Sequence, residues 1–144
     1  MTHAVAWILS SLLACVAGLN VYWACGGRAG SSAAVPVVEG RPLFQPTRTG
    51  KLVAAGLFLA AAALSLASSY GRFPSAVSGF GMWTVGAVFL IRGVGEFRHF
   101  GLFKRASDTP FAHWDTWFYV PLSLAFAAMS LYIARESTRY GWWL

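Results

Sequence analysis

A chain of 144 residues that is 57% hydrophobic and only 11% charged lies outside the range of soluble domains, in which about a quarter of the residues are charged. The composition excludes an ordinary soluble domain and predicts a protein embedded in lipid. The net charge of +6 does not require nucleic acid as a partner, because basic residues also collect in cytoplasmic loops and against anionic headgroups. We expect membrane lipids, and no nucleic acid, as partners.

Four segments are apolar enough to cross a bilayer core of about 30 Å, which takes about 20 helical residues. Open strands are excluded because lipid cannot satisfy their backbone groups, and the alternating pattern of a closed barrel is absent. The sequence therefore predicts an all-α polytopic membrane protein, with a single four-helix domain over residues 1–144. The predicted spans are residues 4–24, 51–70, 76–97 and 118–138.

The first helix resembles a secretory signal at its start, but it has no basic residues there and its apolar run continues to Trp23. We therefore predict a retained transmembrane helix. The connection that follows contains Pro36, Pro42 and Pro46, which predict an extended and irregular segment.

The second helix is rich in alanine, glycine and serine, which allow two helix backbones to approach closely. Gly56 and Ala60 are the predicted contact with a neighbouring helix, and Thr47 or Thr49 is the predicted N-cap. The short connection GRFPS that follows predicts that the second and third helices are antiparallel neighbours.

The third connection contains Thr109 followed by Pro110, which has the form of an N-cap and a first helical residue. This pair predicts a short, aromatic-rich interfacial helix before the fourth span. Pro121 is expected to kink or restart the chain as it enters the bilayer.

Orientation follows from the basic residues, most of which lie in the first and third connections. Since basic loops stay on the cytoplasmic side, both termini are predicted on the outer side. We expect a multi-pass protein of the bacterial inner, or plasma, membrane.

A polar stripe interrupts the third helix at its cytoplasmic end. Arg92, Glu96 and His99 are spaced i, i+4 and i+7 and so share one helix face. A charge facing lipid is costly, which predicts that Arg92 either faces the bundle, paired with Glu96, or extends toward the headgroups. Three further partners of Arg92 are predicted at the same level: Asn20, Asp115 and Tyr119.

Three interpretations of this stripe stay open. In the first, its charges pair to hold the bundle together, and lipid headgroups bind to Arg98, Lys104 and Arg105. In the second, the stripe lines a ligand-binding or catalytic pocket. In the third, it conducts protons or ions. The predicted ligand-binding residues are Asn20, Arg92, Glu96, His99, Asp115 and Tyr119. No metal site is predicted, because Glu96, His99, His113 and Asp115 do not match zinc-motif spacing.

These interpretations correspond to three classes of protein. The first is a non-enzymatic membrane protein, either a binder of lipid or of an apolar small molecule or an accessory subunit of a membrane complex. The second is a membrane enzyme, and the third is a small transporter. An enzyme would use Glu96 or Asp115 as its general acid or base and Arg92 to stabilise negative charge. A transporter of four helices would need a homo-oligomer or a larger assembly. No cofactor can be named from these residues.

Three stretches of the chain resemble one known family. They are NVYWACGG (20–27), GRPLFQPTRTGKLVAAGL (40–57) and RGVGEFRHFGLFKRASDTPFAHWDTWFYVPL (92–122). The family is an uncharacterised group of small bacterial membrane proteins, domain of unknown function 3995. The resemblance implies a four-helix integral membrane protein and no particular activity.

Overall fold

The computed structural model describes residues 1–30, 37–38, 41–42, 47–95 and 115–141. Within these ranges the chain forms four long helices and one pair of two-residue strands. The strands, β1 and β2, are antiparallel, with Val37 opposite Pro42 and Val38 opposite Arg41. The elements are α1 (Thr2–Ala24), β1 (Val37–Val38), β2 (Arg41–Pro42), α2 (Arg48–Ser69), α3 (Ser75–Val94), a π-helical turn (Asp115–Tyr119) and α4 (Val120–Gly141).

The all-α membrane fold is confirmed. Each of the four helices is long and apolar enough to cross a membrane, the fourth being counted together with its π-helical turn. Large apolar side chains such as Phe80 and Ile91 are exposed on the outside of the bundle, as expected where lipid replaces water.

Local sequence determines where the helices end. The side chain of Thr47 accepts a hydrogen bond from the backbone N–H of Gly50 at 3.0 Å, which confirms Thr47 as the N-cap of α2. After α2 the chain turns at Gly71, whose φ of 63° favours glycine. Helix α3 stops at Gly95, which has a φ of 80° and donates to the carbonyl of Ile91.

Helices α1 and α2 pack along their length as an antiparallel hairpin, the first hairpin. Serine hydroxyls connect the two backbones: Ser10 Oγ donates to the carbonyl of Ala62 at 2.7 Å, and Ser65 Oγ donates to that of Ala6 at 3.4 Å. At the end where α1 stops, Lys51 Nζ donates to the carbonyl of Trp23. The first hairpin is thus joined by hydrogen bonds as well as by packing of small residues.

Helices α3 and α4 form the second hairpin through a repeated glycine contact. Three glycines of α3 are spaced seven residues apart, and each contacts one side chain of α4. The three contacting residues of α4 are also spaced seven residues apart. A Cβ atom added to Gly86 would lie 2.6 Å from Cδ2 of Leu131. The pairs are Gly79 with Thr138, Gly86 with Leu131 and Gly93 with Leu124.

The hairpins meet through α2 and α3 and through α1 and α4, but these contacts are much less extensive than those within each hairpin. The short connection makes α2 and α3 antiparallel neighbours, with Leu64 packed toward Gly81 and Phe58 stacked with Phe89. The buried core contains Ala6, Leu9, Leu13, Ala62, Met82, Phe126, Ile133 and Ala134.

The predicted contact through Gly56 and Ala60 is wrong. Both residues are exposed, and nothing lies within 4 Å of a Cβ atom added to Gly56. The buried positions of α2 are Ala55, Ala62, Ser65 and Ser68. In this alanine-rich helix several faces have small residues four apart, so that spacing does not distinguish the buried face.

Candidate ligand-binding cavity

The turn that precedes α4 places a carboxylate inside the protein. Residues Asp115–Tyr119 form a π-helical turn that continues directly into α4. Pro121 explains the change of helix type, because it has no N–H to donate to the carbonyl of Trp117 and its ring disfavours a regular α-helix there. The side chain of Asp115 is 0% exposed.

Asp115 is bonded to the arginine at the end of α3. Arg92 Nη2 donates to Asp115 Oδ1 at 2.8 Å, and the arginine side chain remains 33% exposed. This contact confirms one of the partners predicted for Arg92. A fully buried carboxylate needs such a partner, because an isolated charge is expensive in a medium of low dielectric constant.

A cavity of about 880 Å³ lies between the two hairpins, in the half of the bundle that contains Arg92. We call it the apolar cavity, and we call this half the Arg92 end; the opposite half is the Glu136 end. All four helices contribute to the wall. The apolar part of the wall includes Val16, Leu19, Ala54, Leu57, Val85, Val88 and Leu122.

Three phenylalanine rings form part of the wall of the apolar cavity. The rings of Phe58 and Phe89 are stacked with centroids 6.2 Å apart, and Phe89 meets Phe126 edge to face at 5.0 Å. Phe58 comes from the first hairpin and the other two rings from the second, so this cluster also joins the hairpins. This cluster cannot be predicted from the sequence, because aromatic residues are frequent throughout the chain.

A few polar groups line the same cavity. Arg92, Tyr119 and Asn20 all lie on its wall, so the structure brings together three of the predicted ligand-binding residues. The amide of Asn20 donates to the carbonyl of Val16 in its own helix at 2.9 Å, and Ser123 Oγ donates to the carbonyl of Tyr119. Asp115 is absent from the wall, so its carboxylate contacts Arg92 from behind.

The remaining predicted site residues lie outside the part of the chain that the structure describes. These are Glu96, His99, His113 and the three predicted headgroup ligands Arg98, Lys104 and Arg105, together with the interfacial helix predicted at Thr109 and Pro110. Among the described residues no group of three metal-ligating side chains occurs.

A protein-family model matches most of the chain that forms this architecture. Residues 13–130 match the model described as Protein of unknown function (DUF3995), which includes parts of all four helices and the whole wall of the apolar cavity that the structure describes. The chain belongs to this family. No curated protein and no solved structure matches it. The DUF3995 assignment confirms the resemblance and brings no activity with it.

In this DUF3995 chain, the sequence pointed to the polar residues of the site and not to its apolar wall. Asn20, Arg92, Asp115 and Tyr119 were identifiable because polar and charged side chains are rare in apolar segments. The apolar wall, formed by residues such as Leu57, has no comparable signal, because an apolar side chain that faces a cavity looks the same in sequence as one that faces lipid.

Proposed function

We propose that the protein binds a lipid or an apolar small molecule in the apolar cavity, with an oxygen atom of that molecule directed at Arg92. The supporting observation is a cavity between the hairpins whose wall is mostly apolar and includes a guanidinium held by a fully buried carboxylate. Binding sites for small molecules are typically apolar clefts with a few fixed polar groups.

The size and lining of the cavity define the body of the ligand. Its volume of about 880 Å³ lies within the range of roughly 300–1,000 Å³ found for sites that enclose a small molecule. Side chains such as Leu57, Val88 and Phe89 offer no hydrogen bonds. We therefore expect an acyl chain, an isoprenoid chain or a ring system, each of which would already be dissolved in the bilayer.

Arg92 defines the polar end of the ligand. A guanidinium has only donors, so its partner must be an acceptor such as a carbonyl, carboxylate or phosphate oxygen. Asp115 holds Nη2 at 2.8 Å and neutralises the charge, and the arginine remains partly exposed. Because the pair is neutral overall, both a neutral carbonyl and an anionic group are compatible with it.

The position of Asp115 favours binding over catalysis by this residue. A general base must reach the proton that it removes, and Asp115 is fully buried, bonded to Arg92 and off the cavity wall. Its role in the proposal is to position Arg92. The alternative, an enzyme acting on a lipid-soluble substrate, would depend on Glu96, which lies outside the described residues.

The test is to fill the cavity and measure what the purified protein retains. Leu57→Trp places a larger side chain on the cavity wall. Leu59→Trp makes the same change at a residue of the same helix that is exposed, as Leu57 is, but does not line the cavity. Both variants and the wild type are extracted from membranes into bilayer discs and analysed by native mass spectrometry.

We expect a retained adduct in the wild type and in Leu59→Trp, and its loss in Leu57→Trp. The mass of the adduct identifies its chemical class. A wild type without an adduct, or equal retention by all three proteins at unchanged melting temperature, overturns the proposal.

A further inference from the structure

A second cavity, of about 710 Å³, lies at the Glu136 end of the bundle. We call it the polar cavity. Its wall contains serines from three helices, Ser68 of α2, Ser78 of α3 and Ser137 of α4, together with the carboxylate of Glu136. This composition differs from that of the apolar cavity, so the two cavities suit different ligands.

The three serine hydroxyls are buried without a hydrogen-bond partner. Ser78 is 2% exposed and Ser68 is 6% exposed. A serine in a helix commonly bonds to the carbonyl four residues earlier, as Ser123 does in α4. A buried hydroxyl that makes no such bond costs free energy, and a bound polar group would recover it.

Glu136 has acceptor capacity to spare. Its side chain is only 16% exposed, and its ion pair with Arg139 is long, at 3.6 Å, to a guanidinium that is 64% exposed. An exposed pair at this distance contributes little. A partly buried carboxylate with so distant a partner can accept hydrogen bonds from a further donor.

We propose that the polar cavity binds a primary ammonium group, supplied either by the ethanolamine headgroup of a membrane lipid or by a free alkylamine. An ammonium has three N–H donors and no acceptor. The wall offers one carboxylate and three serines whose hydroxyl oxygens are buried, so each N–H finds an acceptor once the serine side chains rotate toward the ligand. Charge-assisted bonds of this kind are stronger than neutral ones.

Two other titratable groups line the polar cavity, the amino group of Met1 and the imidazole of His3. Both residues are exposed, and the ring of His3 stacks on Tyr70 with centroids 4.6 Å apart. Solvent screens the repulsion between these exposed groups and a bound cation, whereas the attraction to the mostly buried Glu136 is screened less. The balance of charge at the buried part of the cavity therefore favours a cation.

The test compares two lipids that differ in donor capacity. Phosphatidylethanolamine has an ammonium with three N–H donors, and phosphatidylcholine has a trimethylammonium with none. The protein is placed in discs containing equal amounts of both, and native mass spectrometry measures the ratio retained. The variants are Glu136→Gln and Ser78→Ala, with Ser11→Ala as an exposed serine control and Leu57→Trp as a control for the apolar cavity.

We expect the wild type to retain phosphatidylethanolamine about tenfold over phosphatidylcholine, the factor that one charge-assisted hydrogen bond supplies. Glu136→Gln and Ser78→Ala should lose this preference, and both controls should keep it. Displacement by free ethanolamine would identify the amine alone as sufficient; no displacement would identify the lipid as the source.

Equal retention of the two lipids by the wild type overturns the proposal. A preference that survives in Ser78→Ala, a variant that only removes a buried oxygen, overturns it as well. The control Leu57→Trp separates this outcome from failure of the proposal for the apolar cavity, because that substitution lies at the opposite end of the bundle.

Discussion

In the first hairpin, a serine hydroxyl of each helix donates to a backbone carbonyl of the other. In the second hairpin, three glycines of α3 contact side chains of α4, and an ion pair joins the two helices at one end. The lipid around both is as apolar as leucine, so neither hairpin is held by burial from water. The comparison shows two means of association within one small bundle, hydrogen bonding along a helix pair and close interlocking of side chains.

Removal of the ion pair is expected to have the largest effect. Arg92→Leu or Asp115→Leu alone breaks the ion pair and keeps one of its two charges inside the bundle. We expect a loss of about 3 kcal/mol in the free energy of unfolding, the low end for buried pairs because Arg92 is partly exposed. The double variant should lose less than either single variant. Reversible unfolding in detergent, followed by tryptophan fluorescence, measures all three; a double variant that is the least stable contradicts the pairing.

The glycine contact of the second hairpin should show the next largest effect. In Gly86→Val the new Cβ atom would lie 2.6 Å from Cδ2 and 2.7 Å from Cγ of Leu131, so the leucine side chain must shift or the two helices must move apart. Overpacking of this kind typically costs about 1–3 kcal/mol. Gly56→Val is the matched control, since nothing lies within 4 Å there. Equal losses for the two variants in the same unfolding experiment would indicate helix propensity rather than packing.

The hydrogen bonds of the first hairpin should contribute least. Ser10→Ala removes the donor to the carbonyl of Ala62, and interhelical hydrogen bonds in membranes average about 0.6 kcal/mol. The effect is small because that carbonyl also accepts within its own helix. Ser11→Ala, at the exposed neighbouring position, should change nothing. If Ser10→Ala cost as much as Gly86→Val, the two hairpins would not differ in the way described.

The four helices could be predicted from hydropathy alone, and Thr47 could be predicted as a cap because its hydroxyl precedes the first turn of α2. Which helices pack most closely could not. The short connection predicts contact between α2 and α3, yet the closest packing joins helices separated by the long connections. Close packing depends on complementary faces, such as glycines and leucines with the same spacing of seven residues, and connection length does not determine it.

The candidate site that contains charged residues could be predicted from the sequence, and the one lined mainly by serines could not. Arg92 and Asp115 are conspicuous in apolar segments, and their contact followed from placing both at one end of the bundle. The polar cavity at the Glu136 end was not predicted, because Ser68, Ser78 and Ser137 resemble ordinary small residues of membrane helices. Only the structure shows that their hydroxyls lack partners.

The short turn at residues 70–74 also has a mechanical consequence. It joins the hairpins at the Glu136 end, and α3 with its 20 residues is about 30 Å long. The apolar cavity extends from Thr84, about half-way along α3, to Arg92 near its other end. A hinge rotation of about 5° at the turn would therefore displace the far ends of the hairpins by about 2.5 Å. The turn and the helix together act as a lever, so a small angular change at one face of the membrane alters the width of an opening near the other.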